Sequence, residues 1–197
     1  MSSPGLESIC VYCGSSGAAD PAYLAAAAAF GETLAREGLR MVYGGGGVGL
    51  MGACARAAQG AGGRVLGIIP RFLTSHEHPL ATVETVVVTS MHERKMRMFE
   101  ESDAFAVLPG AIGTLEEAVE LLSWRRLGLH AKPIVFFNPS GFWDPLFELF
   151  AQFTERRLVP PEFASCWAAV TRIEDLLPAL RAMPAQEPVT VPIVQRA

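Results

Sequence analysis

Lysine is nearly missing from this 197-residue chain: Lys95 and Lys132 stand beside fourteen arginines (16 basic residues less two lysines). Any Schiff-base chemistry, as in a pyridoxal phosphate enzyme, must therefore use one of those two. Charge is sparse as well, at 18% of residues, with 20 acidic against 16 basic and a net charge of -4. No basic excess exists to neutralise a run of phosphates, so nucleic acid is not the expected partner. The four cysteines (Cys10, Cys13, Cys54, Cys166) are too few and too scattered for a disulfide framework. No stretch approaches the roughly 18 apolar residues that span a bilayer, so no membrane association is expected. The opening MSSPGLES lacks a basic and an apolar region. A reduced, cytoplasmic protein is the expectation. What the chain has in plenty is apolar surface. Half the residues are hydrophobic and the mean hydropathy is +0.29, which excludes intrinsic disorder. The 19 glycines follow no triplet period, so a collagen-like fibre is out.

Short apolar runs alternate with longer segments of helical period. Strands are expected at Ile9–Cys13, Arg40–Tyr43, Arg64–Ile69, Thr82–Val88, Ala104–Leu108, Pro133–Phe137 and Cys166–Val170. Helices are expected from Asp20-Pro21 to Glu37, then at Leu50–Ala61, His92–Ser102, Thr114–Leu127, Trp143–Arg156 and Glu174–Ala182. Alternation at this spacing implies parallel pairing through helical crossovers, and the near-continuous apolar strands suit a sheet covered on both faces. The reading is one doubly wound α/β domain over residues 1–182. It has a mostly parallel sheet of about seven strands and helices on both faces. Residues 183–197 form a proline-containing tail expected to be loosely ordered.

Ligands of open α/β sheets sit beyond the carboxyl ends of the strands. Two glycine-rich turns there enter helices, Gly14-Ser15-Ser16 and Gly44–Gly49, and together make an expected phosphate cradle. Taken singly, each glycine loop serves equally well as a tight strand-to-helix turn. The run Gly44–Gly49 satisfies G-x-G-x-x-G, but it follows the second strand, and no acidic residue ends the next one to hold a ribose. No Walker A loop and no G-x-S-x-G elbow occurs. Cys10 and Cys13 fall on opposite faces of a strand, which suits core packing rather than zinc. His76-Glu77-His78 reads as a polar surface loop with Glu77 facing a ligand, and no metal site is expected. The sharper constellation pairs Ser90–Lys95 with Pro109–Glu117. Arg94 and Lys95 in an opening helical turn oppose the helix dipole unless an anion offsets them. Glu116 and Glu117 are expected in the first turn of the next helix, where a carboxylate also simply suits the dipole. Only one of two adjacent helical residues can face the cleft.

At these residues the chain resembles the Lonely Guy family of cytokinin riboside 5′-monophosphate phosphoribohydrolases, often mislabelled lysine decarboxylases. The family pattern P-G-G-x-G-T-x-x-E matches Pro109–Glu117 with Ala111 in place of the second glycine, and M-x-x-R-K matches Met91, Arg94 and Lys95. Tyr12–Ser16 and Tyr43–Gly52 extend the likeness, which spans about residues 8–182. The resemblance implies a Rossmann-like fold, a homodimer, and no cofactor. It implies cleavage of the N-glycosidic bond of a purine riboside 5′-monophosphate (AMP or an N6-substituted AMP), as in an AMP nucleosidase. Arg94 and Glu117 would be catalytic. Gly14, Ser15, Gly45, Gly46, Gly47, Glu77, Met91, Lys95, Pro109, Gly110, Ala111, Ile112, Gly113, Thr114, Glu116 and Ser123 would contact substrate. Ala111 would cost about 1 kcal/mol if the family glycine needs positive φ. The alternative is a carrier of a phosphorylated ligand, resembling the molybdenum-cofactor carriers; a carrier has no need of the Arg94/Glu117 pair.

Overall fold

The computed structural model describes residues 5–183. Seven strands make one sheet: β1 (Ser8–Tyr12), β2 (Arg40–Tyr43), β3 (Val65–Pro70), β4 (Glu84–Val88), β5 (Ala104–Val107), β6 (Ile134–Phe137) and β7 (Ala168–Val170). The order is β4-β3-β2-β1-β5-β6-β7, with every neighbouring pair parallel. Helices α1 (Pro21–Arg36), α2 (Gly49–Gly60) and α7 (Leu176–Ala182) cover one face, burying Phe30, Leu34, Leu50 and Leu177. On the other face α4 (Met91–Glu100), α5 (Ile112–Arg126) and α6 (Asp144–Glu155) bury Met98, Leu121, Leu122 and Phe150. Cys10 lies in the second core layer and Cys13 in the first, as strand alternation requires.

The chain leaves β1 for β2 on one side and passes from β5 to β6 on the other, so the loops after β1 and β5 part from one another. That is the topological switch point where doubly wound sheets bind ligands. The two loops touch there: the Gly14 N–H donates to the Pro109 carbonyl at 3.1 Å.

Local chemistry explains several boundaries. Asp20 caps α1 by accepting from the Ala22 N–H at 2.8 Å, ahead of Pro21 in the first helical position. Ser90 caps α4 through the Glu93 N–H, and the Glu93 carboxylate reaches back to the Thr89 N–H and hydroxyl. That reciprocal cap starts α4 at Met91, one residue before the expected His92.

Three expectations need correction. Helix α5 begins at Ile112 rather than Thr114, so Glu116 and Glu117 fall in its second turn and its first turn holds no acid. Their presence is then not owed to the helix dipole, which acts within the first turn. Residues Thr74–Glu77 form a short helical turn (α3) where a loop is expected; His78 closes it at φ 45°. The last strand is only three residues long, because Pro161–Cys166 coils into a 3₁₀ segment before it. Of the expected tail, residues 184–197 lie outside the described residues.

Candidate functional site

A cavity of about 640 Å³ opens over the switch point, a size suited to a nucleotide. The loops after β1 and β5 form its floor. The first turn of α5, Arg94 from α4, Glu77 from α3, and the start of α1 form its walls.

Arg94 and Glu117 are its two buried charges, at 5% and 6% exposure. The Arg94 Nη1 stands 3.9 Å from the Glu117 Oε1, while Nη2 donates to the Gly44 carbonyl at 3.1 Å. The buried Arg94 Nε has no partner among the described residues. Burial pushes the Glu117 carboxyl up to about 7, against the opposing pull of Arg94. One helical step away, Glu116 stands exposed at the rim of the cavity and pairs with Lys95. Both carboxylates line the cavity, and they divide by burial instead, with Glu117 alone buried.

The α5 terminus is open in a way those of α1 and α2 are not. Its N-cap, Ala111, makes no side-chain hydrogen bond, so among the described residues the amides of the first turn are left to meet an anion. At α1 the Asp20 carboxylate occupies that place. At α2 the Leu50 and Met51 N–H groups both donate to the Gly14 carbonyl, at 3.0 and 3.3 Å.

This corrects the expected two-loop cradle. The Gly44–Gly49 run is a packing platform rather than a wall of the cavity. Gly45 turns at φ 81° against Ile69. The Gly47 N–H donates to the Glu77 carbonyl at 2.7 Å, and a Cβ at Gly46 would lie 2.6 Å from the Glu77 carboxylate. The run thus holds Glu77 and Arg94 in place from behind.

Of the expected contacts, Gly14, Ser15, Glu77, Met91, Pro109, Gly110, Ala111, Gly113, Thr114 and Glu116 line the cavity. Gly45, Gly46, Gly47, Lys95, Ile112 and Ser123 do not. Ile112 turns outward at 77% exposure, and Ser123 sits three helical turns from the open end of α5. Lys95 is drawn onto α5 by Glu116 and Glu120. Sequence reasoning missed Asp20, Tyr23, Leu50, Met51 and Phe142 in the lining, and it read Gly44 as part of a phosphate loop rather than as the carbonyl that holds Arg94. Only Asp20 carried a signal, and that was for capping.

Ala111 sits at φ -94° and ψ -154°, ordinary extended backbone. The cost for positive φ therefore does not arise. Gly110 is the sterically tight member, since a Cβ there would run into the Thr114 side chain. Ala111→Gly is expected to preserve turnover within about twofold, because no strain is relieved. Steady-state rates on one nucleotide check it; a tenfold change either way would mean that the methyl touches substrate.

A family model described as possible lysine decarboxylase matches residues 51–180. A probable cytokinin riboside 5′-monophosphate phosphoribohydrolase of Oryza sativa subsp. japonica is 41% identical over 86% of this chain and 69% of its own. A cytokinin riboside 5′-monophosphate phosphoribohydrolase of Arabidopsis thaliana is 38% identical over 88% of this chain and 77% of its own. The chain belongs to the Lonely Guy family. Among solved structures, a molybdenum cofactor binding protein from Rippkaea orientalis superposes with a TM-score of 0.65 at 25% identity, covering 91% of this chain and 98% of its own. The molybdenum cofactor carrier of Chlamydomonas reinhardtii, at a TM-score of 0.67 and 19% identity over 91% of this chain and 98% of its own, shares the fold.

The decarboxylase description implies pyridoxal phosphate, and the residues present do not fit it. Partial burial lowers the Lys95 ammonium, but its hydrogen bonds to Glu116 and Glu120 outweigh that and raise it, opposite to what a Schiff-base lysine requires. Lys132 lies just before β6, at the far end of the sheet, over the Phe99 ring at 3.9 Å.

Proposed function

We propose that the protein hydrolyses the N-glycosidic bond of purine riboside 5′-monophosphates, of cytokinin or adenosine type, releasing free base and ribose 5-phosphate. The observation that carries this reading is the buried Arg94–Glu117 pair in a nucleotide-sized cavity. The curated relatives named above support it by their activity.

Glycosidic cleavage builds positive charge on the ribose and negative charge on the departing base. The 5′-phosphate meets the open amides of α5 and the Thr114 side chain, which is buried in the first turn. Glu117, with its carboxyl near 7, is matched to neutral pH. Its ionised form stabilises the ribosyl cation and takes a proton from the water that attacks C1′. The C1′–N9 bond breaks, and its electron pair leaves with the purine. The proton held by Glu117 and the one the purine gains balance over the cycle. Arg94, a fixed cation, holds the negative charge of the 5′-phosphate beside Glu117 rather than donating a proton. Its partnerless Nε supplies a donor for that purpose.

A homodimer and a cytoplasmic location go with this reading through the family resemblance. The test is direct. Purified protein is incubated with AMP and, separately, with N6-isopentenyladenosine monophosphate, and the products are separated by liquid chromatography. Free base with ribose 5-phosphate is expected; intact nucleotide with ligand still bound would overturn hydrolysis in favour of a carrier.

A further inference from the structure

The cavity is electrically one-sided. Its buried cation, Arg94, reaches the end of β2 through the Gly44 carbonyl, and the open amides of α5 lie beside β1 at the β5 end. The opposite lip, toward β6, is built from Asp20, Tyr23 and Phe142. Tyr23 and Phe142 meet edge to face with ring centroids 5.7 Å apart, across the gap between α1 and the loop after β6. Phe142 is in turn held edge-on by Trp143 at 4.8 Å. These are the two aromatic rings among the described lining residues, and Phe142 is 37% exposed despite its size. At the same lip the Asp20 carboxylate has taken the α1 terminus. A phosphate there would face a negative charge and no free amide. A planar base would instead find an aromatic face on which to stack, a contact that any base can make.

We infer that the Tyr23–Phe142 pair is the base-binding subsite, setting the polarity of the bound nucleotide: phosphate toward α5 and Arg94, purine toward β6. This rests on the nucleotide reading of the cavity. Asp20 adds an acceptor suited to an exocyclic N6–H, which every candidate purine keeps whether or not it is alkylated. The lip therefore selects a 6-aminopurine over a 6-oxopurine, whose O6 would face that carboxylate.

The test separates the base from the sugar phosphate. KM for AMP and for N6-isopentenyladenosine monophosphate is measured alongside the inhibition constant of ribose 5-phosphate, which lacks the base. Wild type is compared with Tyr23→Ala and with Phe142→Leu, the second keeping apolar bulk against Trp143. A roughly tenfold rise in both nucleotide KM values is expected, with the ribose 5-phosphate constant unchanged within twofold. Tenfold corresponds to about 1.4 kcal/mol. Equal weakening of ribose 5-phosphate, or unchanged KM in both folded variants, would overturn the subsite. Absence of turnover by wild type would instead overturn the hydrolase reading; retained binding of adenine, weakened by Phe142→Leu, would still support the subsite. IMP is expected to be a poorer substrate than AMP, and parity between them would remove the role given to Asp20.

Discussion

Glu117→Gln is expected to lose at least about 10³-fold in turnover while making the protein more stable above pH 7. Both halves follow from the same burial. In the fold the Glu117 carboxyl sits near 7, against an ordinary value of 4.5. Below pH 4.5 the group is neutral in the folded and unfolded chains alike. Between 4.5 and about 7 the folded chain holds a proton that the unfolded chain has released, so stability falls as pH rises. Above 7 the loss is complete, and a shift of this size is worth about 3 kcal/mol. Glutamine has no such proton and is neutral throughout. The attraction of Arg94 at 3.9 Å is already contained in that balance, and losing it makes the gain smaller than the full amount. For a domain of this size the ceiling is roughly 6–12 °C in Tm at pH 8, vanishing by pH 4. Thermal melts of both proteins at the two pH values check this. A variant less stable than wild type at pH 8 would show that Arg94 needs the carboxylate more than burial opposes it. In the wild type kcat/KM is expected to rise with pH through about 7, as the carboxylate ionises. A profile that falls across that range would assign Glu117 the role of acid.

The periodic features of the sequence translated well because they are local. β2 falls where its short run into Gly44 puts it, and Asp20-Pro21 opens α1 as capping chemistry requires. The β-α alternation led to the seven-stranded parallel sheet. What sequence could not show is which groups in a glycine-rich turn are already spoken for. Gly44–Gly49 and Pro109–Gly113 look alike as strings, yet in the first the Gly47 N–H donates to the Glu77 carbonyl, and the Gly44 and Gly47 carbonyls accept from Arg94 and Arg56. Only the second leaves a helix end open. The start of α5 was misplaced because Ile112 and Gly113 carry no helical signal, and the turn gained by Glu117 changes why it is there. Tyr23 and Phe142 were invisible as a pair: they are 119 positions apart and meet only because β1 and β6 flank β5.

Gly44→Ala is expected to cost about 10²-fold in kcat/KM with only a small loss of stability. Gly44 lies outside the left-handed region, so its backbone would accept alanine. The obstacle is the site itself, since a Cβ at this position would fall on the Arg94 Nη2. That nitrogen is the end of a long side chain and can swing away, and the fold therefore tolerates the methyl. The guanidinium then loses the Gly44 carbonyl and its place opposite Glu117, and a misplacement of about 1 Å in such a group is enough for a hundredfold loss. Gly47→Ala provides the contrast. There the Cβ would meet the His78 carbonyl, which is backbone and has nowhere to go. The damage should appear as a lowered Tm through loss of the α3 turn, with activity falling only as the folded fraction falls. Arg94→Lys should match or exceed the Gly44→Ala defect, because an ammonium cannot span the Gly44 carbonyl and the cavity together. Full activity in a folded Gly44→Ala protein would mean that the guanidinium acts from some other position, and would move the charge that holds the phosphate away from Arg94.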